Sequence, residues 1–296
     1  MNRYVFAARN VVSKLSHIIR EPAITRYYWQ RYVINRASDI NPDIFMISYP
    51  KSGGTWLAFM ILNYIELSGS KKRDVYSHNS TFNFMRLPNG KMLRMHHDCG
   101  HWVPIPLKAG ELSFSVQKYL GKKVIFLARD PRDILVSSWY HLKFKDNFYP
   151  GTISEIIRDD LVGIRKIIAF MNMWIENSHV PEEFMLVTYE DMRSDTQNIF
   201  RKVCSFLGLK IDESAIKDAV ADSSFEKMKA AEKNKVLWDP WETKKTSRGD
   251  DSMKVRKGKI GGYKEELPPE DLHFVDDAVE KFLSPKLPYK VRPNPA

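Results

Sequence analysis

At 296 residues, with 43% hydrophobic and 28% charged side chains, the chain has ample apolar material for a globular core and suits one large α/β domain. Its 46 Lys and Arg against 36 Asp and Glu give a net charge of +10, which fits a polyanionic ligand and, on charge alone, also nucleic acid or an anionic membrane surface. Two cysteines without a CxxC and no apolar run of membrane-spanning length argue against a disulfide scaffold, a structural zinc site and a transmembrane protein.

Residues 1–43 open with Arg3, Arg9, Lys14 and Arg20 ahead of the first acid, Glu21, and carry Tyr27, Tyr28 and Trp29 behind them. This pattern predicts a basic helical segment packed on the domain, with a transit peptide or membrane-surface helix as the alternative. Ile44 to Tyr49 (IFMISY) predicts a short buried strand, which Pro50 ends. Leu57, Met60, Ile61, Tyr64 and Ile65 then share one helical face. Between strand and helix stand Lys51, Ser52, Gly53, Gly54 and Thr55, followed by Trp56. Glycine lets several N–H groups converge there, and the helix N-terminus adds partial positive charge, which makes a socket for phosphate or sulfate. The Lys precedes the glycines and the loop is short, so this is not the GxxxxGK[ST] loop of the nucleotide triphosphatases. Lys71, Lys72 and Arg73 fall in a polar stretch and read as a solvated loop.

Lys91 to His96 predicts a second strand, with Arg94 and His96 on one face and His97 on the other unless the strand ends before it. His96, His97 and His101 lie close enough in sequence to be candidates for a general base near neutral pH. Glu111 to Leu120 predicts a helix and Lys123 to Ala128 (KVIFLA) a buried strand. Asp130 as N-cap and Pro131 at the first helical position predict a helix start, which sets Arg129 at a strand-to-helix junction and Ser137 about two turns further on. Residues 152–178 read as helix, with Phe170, Met171, Met173 and Trp174 as core. Phe184 to Tyr189 (FMLVTY) reads as a strand, followed by a helix with Phe200, Val203 and Leu207 on one face. Residues 233–262 lack periodicity and contain Trp238, Trp241, Lys254, Arg256, Lys257 and Lys259, the composition of a lid or binding loop. A last helix follows Pro268. Strands alternating with helices predict a single α/β domain, a central parallel sheet flanked by helices, with the P-loop-like anion loop at the strands' C-terminal ends.

YPKSGGTW resembles the YPKSGTTW loop of the cytosolic-type sulfotransferases, which bind 3′-phosphoadenosine 5′-phosphosulfate (PAPS). Other segments are similar to that family in the same order, across roughly residues 44–264. Arg94-Met95-His96 resembles its KTH triplet, whose His takes the acceptor's proton. Here Arg94 replaces the Lys, and His97 makes a one-residue slip available, so His96 is the preferred base and His97 the alternative. The stretch from Arg129 to Ser137 resembles R-[ND]-P-x-D-x-x-V-S, which implies that Arg129 and Ser137 hold the 3′-phosphate. Tyr189-Glu190-Asp191, and the Ser223-Ser224-Phe225 to Met228 segment, imply adenine contacts from Tyr189, Ser223 and Phe225, with Trp56 stacked on the base. Arg256-Lys257-Gly258 and Gly261 match RKGxxG of a segment that closes on the 3′-phosphate, while Gly262 and Tyr263 stand where that segment has Asp and Trp. The family's KxxxTVxxxE dimer segment is not found.

The resemblance implies sulfuryl transfer from PAPS to a hydroxyl or amine, with Lys51, Ser52, Gly53, Gly54 and Thr55 on the phosphosulfate and Lys51 at the departing oxygen. A small-molecule acceptor is the first expectation and a carbohydrate the second, in the cytoplasm, with no metal, no nucleic acid and no transmembrane segment. The aromatics Phe82, Phe84, Tyr140, Phe144, Tyr149, Trp238 and Trp241 suit an apolar or ring-shaped acceptor and equally a folded core. Residues 44–290 are expected to form the sulfotransferase domain. One alternative is a P-loop nucleotide or metabolite kinase, against which the displaced Lys counts. The other is a non-catalytic basic protein at nucleic acid or a membrane surface, for which residues 1–35 speak.

Overall fold

The computed structural model describes residues 41–68, 84–102, 107–145, 149–233, 251, 253 and 255–290. The basic segment up to residue 40, Lys71 to Arg73, Phe82, Trp238, Trp241 and Lys254 lie outside the described residues. Five strands, β1 (Ile44–Ser48), β2 (Phe84–Arg86), β3 (Met92–His96), β4 (Lys123–Ala128) and β5 (Glu183–Thr188), form one sheet in the order β2-β3-β1-β4-β5. β1 runs parallel to β3 and β4, and β4 parallel to β5.

The fold is the expected α/β sheet, with one antiparallel addition. β2 pairs with β3 as a hairpin through Leu87-Pro88-Asn89-Gly90, closed by Leu87 N–H to the Lys91 carbonyl at 2.8 Å. A strand of three residues offers too little periodicity to announce itself, although Asn-Gly is a hairpin signal.

Alternate residues of each central strand face opposite layers, and both layers are covered, which is why β1 and β4 read as continuous apolar runs. Ile44 and Met46 of β1, with Ile125 and Leu127 of β4, pack under α1 (Gly54–Leu67), α7 (Thr196–Phe206) and α8 (Glu213–Asp222). Phe45, Ile47, Val124 and Phe126 pack on the other side against α3 (Pro131–Tyr140), α5 (Ile164–Glu176) and α11 (Pro269–Phe282).

Glu111 to Leu120 is not one helix. Ala109–Glu111 is a 3₁₀ turn, and only Val116–Tyr119 (α2) is α-helical. Between them Leu112 and Phe114 face inward while Ser113 and Ser115 are exposed, a period of two. Phe114 is held edge-on to Trp174 at 5.0 Å, so aromatic packing wins over helix propensity there. Residues 152–178 likewise divide into α4 (Ile153–Ile156) and α5, because Asp159 Oδ1 caps the Leu161 and Val162 N–H groups and turns the chain.

The chain leaves β1 toward the β3 side and returns across it to β4, so the sheet's switch point falls at the C-terminal end of β1. That is where open α/β sheets bind ligands.

Candidate active site

The strand-exit loop is built on a turn in which Ser52 N–H returns to the Tyr49 carbonyl at 3.2 Å, Pro50 takes the second position and Lys51 the third with φ +76°. A turn of this kind demands positive φ at that position and usually places Gly or Asn there; a lysine costs about 1–3 kcal/mol of backbone strain. The turn is anchored by buried Tyr49, edge-on to Phe170 at 5.4 Å. Gly53 caps α1 with φ +101°, and a Cβ on it would stand 2.7 Å from the Tyr189 ring, so no other residue fits. Ser52 is 1% exposed and its hydroxyl has no hydrogen-bond partner among the described residues. A buried hydroxyl left so is costly unless a ligand atom completes it. Thr55 sits half-buried in the first turn of α1.

Arg129, at the end of β4, joins this loop to the far end of the chain. Its Nη1 donates to the Lys51 carbonyl at 3.2 Å and its Nη2 to the Lys259 carbonyl at 3.1 Å. The guanidinium lies 4.3 Å from the Tyr189 ring centre and 3.7 Å from the Asp133 carboxylate. Asp130 caps α3 as the sequence predicts, accepting from Arg132 N–H. Asp133, one turn in, accepts from the Gly261 and Tyr263 N–H groups at 2.8 and 3.1 Å, and so pins the loop that follows Arg256-Lys257-Gly258.

Trp56, Tyr189, Ser223, Phe225 and Gly258 come together at one end of this wall. Trp56 is edge-on to Tyr189 at 5.7 Å, and its indole N–H donates to the Ser223 carbonyl at 2.9 Å. The Tyr189 hydroxyl donates to the Gly258 carbonyl, and Gly258, at φ +60°, leaves no room for a Cβ, which would fall 2.9 Å from the Phe225 ring. Ser223 is held from both sides. Its buried hydroxyl donates to the Ala219 carbonyl and accepts from Asn63, and its carbonyl orients Trp56.

Ser137, Tyr140 and His141 are spaced to share one face of α3 and the π-type turn His141–Lys145 that extends it. At its ends this face meets two basic groups: His141 Nδ1 lies 3.5 Å from Lys51 Nζ, and the Arg256 guanidinium stacks 3.6 Å from the Tyr140 ring centre. Arg256 and Lys257 both ion-pair with Glu266 of α10 (Tyr263–Glu266), at 2.8 and 3.1 Å. Of the remaining candidate aromatics, Phe84 lies under Arg94, and Phe144 packs on Trp139 and Tyr140.

The three histidines cluster at the end of β3, with His101 5.7 Å from His96 and 5.1 Å from His97 between ring centres. Their partners assign the tautomers. His96 Nδ1 faces the Asp98 backbone N–H, which can only donate, so the neutral His96 ring carries its proton on Nε2. His97 Nδ1 lies 2.8 Å from the Ser48 carbonyl, which can only accept, so Nδ1 carries the proton and the ring lone pair is on Nε2. Burial, and next the Lys118 charge, hold His96 well below the ordinary histidine range.

Lys166 of α5 is fully buried and donates from Nζ to the His101 carbonyl at 3.1 Å, tying the histidine segment to the core. Burial lowers its pKa from 10.5 to about 8, with nearby acidic groups opposing. Between those values the unfolded chain keeps a proton that the folded chain has released, so this residue makes stability rise with pH across that window. Lys166→Met is expected to flatten that rise in denaturant unfolding at pH 7, 8, 9 and 10. A rise as steep as in the parent protein would assign the titration to other groups.

Glu266, His141 and Asn63 were not singled out in the sequence, and Asp133 entered only as an ion-pair partner of the Arg129 segment. Asp133 lies within the Arg129 motif and His141 at helical spacing from Ser137, signals that were available. Asn63 acts through a long-range contact, and Glu266 at a separation of ten residues that no helical or strand period announces.

The sulfotransferase domain model matches residues 41–286, and the chain belongs to that family. It is similar to sulfotransferase 2B1 of Mus musculus, 28% identical over 210 residues, 66% of this chain and 59% of that protein, so the chain spans less than two thirds of that relative's length. It is similar also to cytosolic sulfotransferase 13 of Arabidopsis thaliana, 27% identical over 263 residues, 83% of this chain and 76% of that protein. Among solved structures, retinol dehydratase in complex with androsterone and inactive cofactor PAP shares the fold, with a TM-score of 0.60 at 19% identity over 88% of each chain. No helix among the described residues is long and apolar enough to cross a membrane.

Proposed function

We propose that the chain transfers a sulfuryl group from PAPS to a hydroxyl or amine of a small-molecule acceptor, with residues 44–290 as the catalytic domain and the cytoplasm as its compartment. One observation carries this reading. The buried Arg129 guanidinium donates to the carbonyls of both Lys51 and Lys259, which makes a single cationic wall of two anion-binding loops from opposite ends of the domain. A nucleotide with two separate phosphate groups fits such a wall, whereas a single phosphate would use half of it. The Ser52 hydroxyl, without a hydrogen-bond partner among the described residues, and the close Gly53–Tyr189 approach support a fit to a nucleotide phosphate at the first loop. The solved relative's complex with PAP and androsterone supports both the donor and a small, apolar acceptor.

When bound, PAPS supplies the activated sulfuryl group. Ser52, Gly53, Gly54 and Thr55 hold its 5′ side, and the Lys51 ammonium sits where negative charge develops. Trp56, Tyr189 and Phe225 enclose the adenine. Arg129, Ser137, Arg256, Lys257 and the Gly258 N–H receive the 3′-phosphate. His97 accepts the acceptor's proton on Nε2, and the Ser48 carbonyl continues to accept from Nδ1–H as the ring becomes positive.

The test is calorimetric titration with adenosine 3′,5′-bisphosphate in the absence of metal, with ADP and ATP as controls. Binding of the bisphosphate tighter than ADP by about tenfold or more, a difference of about 1.4 kcal/mol, is expected. Preference for ATP with Mg²⁺ would overturn the proposal. Labelled PAPS with panels of hydroxyl and amine compounds then identifies the acceptor.

A further inference from the structure

Arg256 and Lys257 are the two side chains of the far loop that carry positive charge toward the proposed 3′-phosphate, yet both are engaged by one internal anion. Glu266 is half-buried as a residue, with its side chain 8% exposed. Its Oε2 accepts from Arg256 Nη1 at 3.1 Å, and its Oε1 accepts from Arg256 Nη2 at 2.8 Å and Lys257 Nζ at 3.1 Å. The Tyr140 ring stacks under the same guanidinium. Burial and the adjacent carboxylate push the Tyr140 hydroxyl up to about 12. Burial works against ionisation of Glu266, but Arg256, Tyr140 and Lys257 together hold its carboxyl below the ordinary glutamate range. It is therefore a charged carboxylate at neutral pH.

A guanidinium presents a planar fork that matches carboxylate and phosphate in the same two-point manner. With both Nη groups turned to Glu266, a phosphate approaching Arg256 meets a fork already matched to an anion, and meets that anion's charge at short range in a partly buried site. The geometry points to Glu266 as an internal competitor of the donor's 3′-phosphate, a specificity-determining residue that lowers the wall's affinity for the phosphate it recognises and so eases release of the bisphosphate product. This rests on the PAPS reading above.

Glu266→Gln keeps the shape and one acceptor oxygen while removing the charge. Calorimetry on the full chain with adenosine 3′,5′-bisphosphate and with AMP, which lacks only the 3′-phosphate, separates the cases. In Glu266→Gln the bisphosphate is expected to bind more tightly by on the order of tenfold, with AMP affinity unchanged. Glu266→Ala should move the bisphosphate in the same direction. Unchanged or weaker bisphosphate binding with normal AMP binding would overturn the proposal, because the carboxylate would then orient Arg256 instead of competing for it. Loss of AMP binding in both variants would also overturn it, by making Glu266 a strut of the loop. If the parent protein itself does not distinguish bisphosphate from AMP, the PAPS reading fails, an outcome readable without either variant.

Discussion

Replacing Lys51 by Ala is expected to lower turnover by on the order of 10²–10³, the usual cost of removing one preorganised group that meets developing charge. The ammonium lies 3.5 Å from His141 Nδ1, and the residue's backbone carbonyl is held by Arg129 Nη1. Its backbone is held at φ +76°, where no unstrained turn would put a lysine, and alanine inherits the same strain. Any change in stability should therefore be small, and the loss should fall on the chemistry. The measurement is single-turnover sulfuryl transfer from labelled PAPS, with bisphosphate affinity measured in parallel. A variant with near-normal turnover would remove Lys51 from the mechanism. A variant that loses only affinity would reduce it to a binding residue.

His97→Asn is expected to reduce kcat by on the order of 10²–10⁴, the range ascribed to a positioned general base. Asparagine can still donate to the Ser48 carbonyl in place of Nδ1–H, so the end of β3 should keep its shape while the acceptor nitrogen is lost. His96→Asn should be far milder. An asparagine carbonyl can accept from the N–H two residues on, as His96 Nδ1 does from Asp98, and the His96 tautomer offers a proton on Nε2 rather than a lone pair. The pH profile of kcat/KM adds a second readout. Activity that falls at low pH as a base is protonated should lose that limb in His97→Asn and keep it in His96→Asn. The opposite pattern would make His96 the base and show that its ring rotates away from Asp98.

The strand, loop and helix from Ile44 to Leu67, the Asp130 cap and Pro131 start of α3, and the KVIFLA strand were legible because each is a local pattern. Apolar spacing selects strand or helix, and caps and glycines act on their immediate neighbours. The Glu111–Leu120 segment was misjudged for the converse reason. Its conformation is set by Phe114 finding Trp174, a contact with another helix. The same divide runs through the site. The loop could be read from Lys51 to Trp56, but nothing local says that Arg129 would bridge that loop to Lys259 or that the Trp56 indole would find the Ser223 carbonyl.

The sequence by itself determined the α/β alternation, the Gly-containing loop between β1 and α1 and the family resemblance. Only the tertiary structure decided which histidine nitrogen carries a lone pair, because that depends on whether the ring meets a carbonyl, as His97 does, or an N–H, as His96 does. It also decided that Arg256 and Lys257 meet Glu266, because a separation of ten and nine residues matches no helical or strand period, and the turn that closes it is pinned to Asp133 through Gly261 and Tyr263.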